Sequence, residues 1–299
     1  MLTWTSAGAV ARPDTLQIRL QRAYPGRVRA GAPVPTRSMP TDEVVSNLRH
    51  FAVAGTRGRA VSALVLSGVG AARRDDLGAI LAEARRGGVR SVVLHAGVED
   101  VDALERSLLS VDRVVLPLVS DESGATLAAA ARALRRAGEV GVSVAANVVL
   151  SPSMLPALPA VARVAAAARR AVDAVTFTFP FPVDGSVSAE VPPPARAVAA
   201  LREVLPVLAE AGVRAAIKGL PACYLGDLRA LAGRTANRWY VDADHQLDKA
   251  LLFFPDVVAF HKGESCRFCA ADATCDGFFA TYLRRGGVPP LRPLEPTPA

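Results

Sequence analysis

No cysteine occurs in the first 222 residues of this 299-residue chain. Thiolate metal binding, disulfide bridging and nucleophilic sulfur chemistry are therefore excluded from the greater part of it. Lysine is almost as scarce, with Lys218, Lys249 and Lys262 the only three among 35 basic residues. The arginines are scattered, mostly in pairs such as Arg85 and Arg86, Arg135 and Arg136, and Arg169 and Arg170, on the polar faces of expected helices. Alongside abundant Ala, Val and Gly, this excess of Arg reads as the codon bias of a GC-rich genome. The net charge of +7 is spread rather than gathered on one element, so no nucleic-acid partner is expected. Long apolar runs are missing too, because the Ala-rich stretch from Leu155 to Val175 is broken by Pro159, Arg163, Arg169 and Arg170. The opening "MLTWTSAGAVARPDTL" has neither a basic start nor a sustained apolar core. A soluble, cytoplasmic protein without a membrane partner is the expectation.

What is present is the composition of an ordinary globular protein, 51% hydrophobic and 21% charged, with length enough for a sizeable core. From Leu16 to Cys223, short β-branched runs alternate with helical patterns, the mark of repeated βα units and a parallel sheet. Strands are predicted at 16–20, 61–66, 91–95, 113–118, 142–150, 174–179 and 213–217, and helices at 41–54, 75–86, 101–109, 124–137, 155–172 and 195–211. Thr41 is placed to cap its helix, with Asp42 and Glu43 at the positive end of the dipole. "RRGGV", "RAGEVGV" and "EAGVRA" each end a helix on glycine and restart as a strand. Six βα units and one further strand fall short of the eight of a closed barrel. The fold class is thus α/β, a partial (βα)6-type TIM barrel of parallel strands over residues 1–222, followed by a small metal-binding module over 223–299 that ends in a Pro-rich tail from Pro289.

The cysteines that are present stand together. Cys266, Cys269 and Cys275 form C-x2-C-x5-C, and Cys223 completes the set. Four thiolates suffice for a tetrahedral zinc or for a cubane iron-sulfur cluster, and the spacing of the last three suits either. A tight turn brings the sulfurs of Cys266 and Cys269 onto one centre, the following loop returns Cys275 to it, and Gly277 permits a close approach of the helix that follows. Disulfides do not fit an intracellular chain.

The tail "CRFCAADATCDGFFATYLRRGG", with its C-x2-C-x5-C-x-G pattern, aromatic stretch, Tyr282 and terminal glycine, resembles the cluster-binding extension of the radical SAM superfamily. More narrowly it is similar to members with one auxiliary cluster in a shortened SPASM, or twitch, module. "GLPACYLGD" is similar to the segment that supplies the remaining cluster cysteine. Residues 64–89 look like the family's second strand, glycine-rich turn and helix, and residues 144–162 like its fifth strand and helix, where a polar strand residue such as Asn147 approaches SAM. The resemblance implies one [4Fe-4S] cluster on Cys223, Cys266, Cys269 and Cys275.

It also exposes two losses. After strand one the family carries C-x3-C-x2-C, which holds the SAM-cleaving cluster; here the stretch is "RAYPGRVRAG". Where the family has Gly-Gly-Glu-Pro, this chain has Gly68, Val69, Gly70 and Ala71, so the carboxylate that accepts from the ammonium of SAM is gone. Such a bond to a charged group is worth about 1.5–3 kcal/mol. Gly68, Gly70 and Asn147 remain as the remnant of a SAM pocket, SAM cleavage is not expected, and Tyr24 and Pro25 are expected to pack over the barrel mouth. The resemblance thus implies a pseudoenzyme, a binding, partner or scaffold subunit beside a partner enzyme or a peptide during peptide or cofactor maturation. The enzyme alternative reuses the mouth for other chemistry, with the cluster as electron relay or Lewis acid.

Other polar residues carry weaker signals. His95, Asn147 and Lys218 lie at or near strand ends and, with Arg19, could line a pocket for an anion or serve as scaffolding. His245 and His261 lie near the cysteines in sequence but are not needed as ligands when four thiols complete the set. Asp242, Asp244 and Asp248 lack the glycine and terminal Glu of a calcium loop and read as a solvated turn.

Overall fold

A computed structural model describes residues 2–5, 8–11, 13–21, 38–52, 60–100, 111–119, 124–180, 191–233, 237–253, 260–286 and 288–295. The loop "RAYPGRVRAG" and the helix expected at 101–109 lie outside the described residues. Among those described, no helix is long and apolar enough to cross a membrane.

The fold is α/β, with a mostly parallel nine-stranded sheet. After a small antiparallel ladder of β1 (Leu2–Thr5) and β2 (Gly8–Ala11), the sheet takes β3 (Thr15–Arg19), β4 (Ala63–Ser67), β5 (Ser91–His95), β6 (Arg113–Pro117), β7 (Val144–Val149), β8 (Val172–Thr178) and β9 (Arg214–Lys218) in chain order. The helices between them are α1 (Thr41–Ala52), α2 (Leu77–Arg86), α3 (Ala125–Glu139), α4 (Leu158–Ala167) and α5 (Pro194–Glu210). The chain divides into two compact units, Met1–Leu118 with Ala129–Ala145 and Asn237–Phe253, and Val119–Ala128 with Ala146–Ala236 and Phe254–Ala299.

In the first unit β5 and β6 bury every second residue, and β3 and β4 keep that alternation for their apolar residues while burying Gln17 and Ser67 as well, which is why β-branched and Leu residues recur at period two. Leu16 and Ile18 of β3, Leu64 and Leu66 of β4, Val92 and Leu94 of β5, and Val114 and Leu116 of β6 are fully buried. Each such side chain contributes about 1.5–3 kcal/mol relative to exposure. Helix α1 buries Val44, Asn47, Leu48 and Phe51, the three- and four-residue spacing of one helical face.

Two features depart from the sequence expectation. The helix expected to reach residue 172 ends at Ala167, and β8 starts at Val172, because Ala171 and Val172 are buried in line with the strand. The sheet also continues past β3 in the first unit, through β10 (Arg238–Val241), parallel to β3, and β11 (Leu251–Phe253), antiparallel to β10. These residues had been read as part of the segment beyond the barrel. Trp239 drives the addition, packing its ring 5.4 Å from Phe51 with only 6% exposure, while the Arg238 guanidinium donates to Gln17 at 2.9 Å.

The turn after β10 is held by one buried amide. Asn47 donates through Nδ2 to the Glu43 carbonyl at 2.8 Å and to Gln246 Oε1 at 2.9 Å, and its Oδ1 accepts from the Leu247 N–H at 2.8 Å. Leu247 is the one non-glycine residue with positive φ, 50°, among the described residues, so that contact holds a backbone conformation a Leu does not choose. Replacing Asn47 by Ala removes the acceptor of the Leu247 N–H and the donor to Gln246 Oε1, and should lower stability by about 1–3 kcal/mol. Urea unfolding of the Asn47→Ala variant measures this, and an unchanged midpoint would show that the turn is held by something else.

Candidate metal centre

The second unit carries all four cysteines. Its strand β9 ends at Lys218, and Gly219, Leu220 and Pro221 lead into the short helix α6 (Ala222–Leu225), which presents Cys223. The other three lie on a loop closed by a two-residue antiparallel pair, β12 (Phe260–His261) and β13 (Phe278–Phe279), which runs into helix α7 (Ala280–Arg285).

Apolar burial fixes that pair in place. Phe278 and Phe279 are fully buried, and Phe279 stacks on Phe260 with centroids 4.5 Å apart. Phe278 meets Phe179, Tyr224 and Tyr282 at 5.7, 5.3 and 5.6 Å. The Tyr282 hydroxyl donates to the Pro180 carbonyl at 2.7 Å, and burial pushes its pKa up to about 12, so it stays a donor. Gly277 makes the closure sterically possible. Its φ is +88°, and a Cβ there would lie 2.4 Å from the His261 carbonyl oxygen. The close approach is to the neighbouring strand β12, not to the following helix as the sequence suggested.

Within the loop, Glu264–Phe268 forms a tight 3-10 turn, and the Cys269 N–H donates to the Cys266 carbonyl at 2.9 Å. The Cys275 N–H donates to the Ala271 carbonyl at 2.9 Å, and Lys262 clamps the middle of the loop through Nζ to the Asp272 carbonyl at 2.6 Å and carboxylate at 3.1 Å. The result is that Cys223, Cys266, Cys269 and Cys275, all free thiols and all half-buried, line one small cavity with Lys262 and Arg292 at its wall.

Backbone donors point at the sulfurs. Gly277 N–H lies 3.3 Å from Cys275 Sγ, Ala271 N–H 3.4 Å and Leu294 N–H 3.3 Å from Cys269 Sγ. Burial raises the Cys223 pKa, as do Cys275 and Cys266 nearby, against the backbone N–H of Arg292, which favours the thiolate. The same environment, burial first and then Cys223, pushes Tyr224 up to about 12. Soft sulfur donors, shelter and N–H groups aimed at sulfur are what a thiolate-held metal group requires. No three His, Cys, Asp or Glu groups among the described residues close in on a point as ligands of a single ion would.

No protein-family model matches the chain, and no curated protein matches it in sequence. Its fold has solved counterparts. SuiB of Streptococcus suis, bound to the precursor peptide SuiA, superposes with a TM-score of 0.59 at 12% identity, over 92% of this chain and 74% of that one. The enzyme anSMEcpe with bound AdoMet gives 0.57 at 11% identity, over 89% of each chain. The same enzyme with AdoMet and the Kp18Cys peptide gives 0.55 at 10% identity, over 89% of each. The chain shares the fold of these solved proteins.

On this fold, the residues expected to mark a SAM pocket have local structural roles. Gly68 follows β4 with φ +127°, and a Cβ there would lie 2.7 Å from the Gln21 nitrogen, beside the bond from the Leu20 N–H to the Ser67 carbonyl. Gly70 opens the short turn Ala71–Arg73, from which Arg73 reaches the fully buried Asp100 at 2.6 Å. Asp100 in turn accepts the Gly97 N–H at 2.9 Å, a buried carboxylate that the sequence reading passed over.

Arg19 donates to the Gln21 carbonyl at 3.1 Å and the Tyr240 hydroxyl at 3.2 Å in the first unit, where His95 ends β5. Asn147 Oδ1 accepts from Thr178 at 2.8 Å in the second unit, where Lys218 ends β9. His245 belongs to the first unit, 2.9 Å from the Asp242 carboxylate. Asp242 also accepts the backbone N–H groups of Asp244 and His245, which makes the acidic run a capped turn. Burial would raise the Asp242 pKa, and those bonds overcome it and leave it low. The His261 side chain is exposed.

The sequence reading also missed Lys262 and the tail. Gly277 offers the sharpest check on the geometry. In the Gly277→Ala variant a forced left-handed residue and a carbonyl clash should cost about 2 kcal/mol or more. Urea unfolding reads the loss, and wild-type stability would mean that the loop closes without this contact.

Proposed function

We propose that this protein is a radical-SAM-like pseudoenzyme whose four cysteines hold one [4Fe-4S] cluster, and that it serves as a binding, partner or scaffold subunit in peptide or cofactor maturation. The observation that carries the reading is the placement of the thiols. Every cysteine in the chain lines a single cavity in the second unit, and none is found in the 222 residues before it.

Four thiolates can hold either a single zinc or a cubane cluster, and the cluster is chosen here because the tail C-x2-C-x5-C-x-G resembles a cluster-binding extension. Bound there, such a cluster would supply one-electron redox chemistry. The chain's part is to gather four thiols along one cavity and aim backbone N–H groups at sulfur.

The SAM side has no matching provision. Gly68, Val69, Gly70 and Ala71 offer no carboxylate side chain, and "RAYPGRVRAG" has no thiol. A peptide partner is supported by two fold neighbours, SuiB and anSMEcpe, which were solved with peptides bound. In this reading Gly68, Gly70 and Asn147 are the remnant of a SAM pocket that the sequence resemblance implies.

Anaerobically isolated protein should be brown, with iron and sulfide in comparable amounts, and Cys269→Ala should lose both along with the stability of the loop. Colourless protein with one zinc and no sulfide would contradict the cluster. A second measurement addresses catalysis. Reduced protein mixed with SAM should release no 5'-deoxyadenosine above a protein-free control, and turnover that depends on Cys223 or Cys275 would overturn the pseudoenzyme reading.

A further inference from the structure

The Pro-rich tail lies against the cysteines. The Leu294 N–H donates to Cys269 Sγ at 3.3 Å, and the Leu294 carbonyl accepts the Ala270 N–H at 3.0 Å, so one residue binds both Cys269 and its neighbour. Leu291 and Arg292 line the cavity that Cys223 also lines. At the start of the segment the Tyr224 hydroxyl, next to Cys223, donates to the Pro289 carbonyl.

The composition of the segment fits that placement. Pro289, Pro290 and Pro293 carry no N–H and hold φ near its extended value, which leaves donors only on Leu291, Arg292 and Leu294 between residues 289 and 294. Of those three, the Leu294 N–H faces a thiol. Prolines also restrict the unfolded chain, so ordering such a strap costs less than ordering a flexible tail.

We infer that residues 289–294 are a built part of the cysteine centre, a strap whose Leu294 N–H acts as a positioning donor to Cys269 and tunes the metal group held there. The inference rests on the cluster reading above. Donors to thiolate sulfur stabilise the more negative, reduced form, so they raise the reduction potential and shield the centre from oxidants.

The test compares Leu294→Pro with Leu294→Ala in the full chain. Both remove the leucine side chain, but only proline removes the N–H. Protein film voltammetry gives the potential, and loss of visible absorbance in air gives the bleaching rate. Leu294→Pro should show a lower potential and several-fold faster bleaching than Leu294→Ala, which should stay close to the parent. Tyr224→Phe, which cuts the bond to the Pro289 carbonyl and leaves every N–H in place, should shift potential and bleaching the same way and keeps the inference testable if Leu294→Pro misfolds. Potentials and rates equal to the parent's in both Leu294→Pro and Tyr224→Phe, in protein that carries the cluster, would overturn the strap alone. A parent chain isolated without iron would overturn the cluster reading and the strap with it.

Discussion

The burial of Phe278 and Phe279 is the interaction on which the placement of the cysteines depends. These two side chains, packed with Phe179, Phe260 and Tyr282, pin a two-residue strand pair, and everything between its ends is the cysteine loop. A pair of two-residue strands has too few backbone bonds to persist by itself. The aromatic contacts supply the missing stability, and Gly277 removes the Cβ that would hold the strands apart. Cys266, Cys269 and Cys275 thus come to Cys223 because the hydrophobic floor beneath them is fixed.

Above that floor the electrostatics are set by backbone. At Cys223 burial, and then the neighbouring Cys275 and Cys266, disfavour the thiolate, while N–H groups of Ala271 and Leu294 point at Cys269 and that of Gly277 at Cys275. Lys262 is spent on Asp272, so its charge stabilises the loop as well as the cavity wall. A cation or a cluster would relieve the thiol repulsion, which is why metal binding and the order of this loop should be coupled.

The barrel strands were legible in the sequence because their burial has period two over β-branched runs, as at Val92 and Leu94 or Val144, Ala146 and Val148. The stripe of Val44, Leu48 and Phe51 made α1 equally plain. Strand β10 was not legible. It is four residues long, and its partner β3 lies more than two hundred residues earlier, so no local pattern announces the pairing. The cysteine spacing pointed to a shared centre, and the structure brings the four thiols to one cavity. The tail's part in it was hidden because backbone N–H donors belong to every residue but proline, and only the spacing of Pro289, Pro290 and Pro293 hints at which are left. Gly277 was read for the right reason, close approach, but against the wrong neighbour, since its partner His261 is remote in sequence.

The central claim is that four cysteines close on one polynuclear iron centre with no site left for SAM. X-ray absorption at the iron and zinc edges of anaerobically isolated protein tests it most directly. The account predicts iron ligated only by sulfur, with iron neighbours, and a spectrum that does not change when SAM is added. Zinc ligated by four sulfurs with no metal neighbour, or nitrogen and oxygen ligands appearing on iron with SAM, would contradict it.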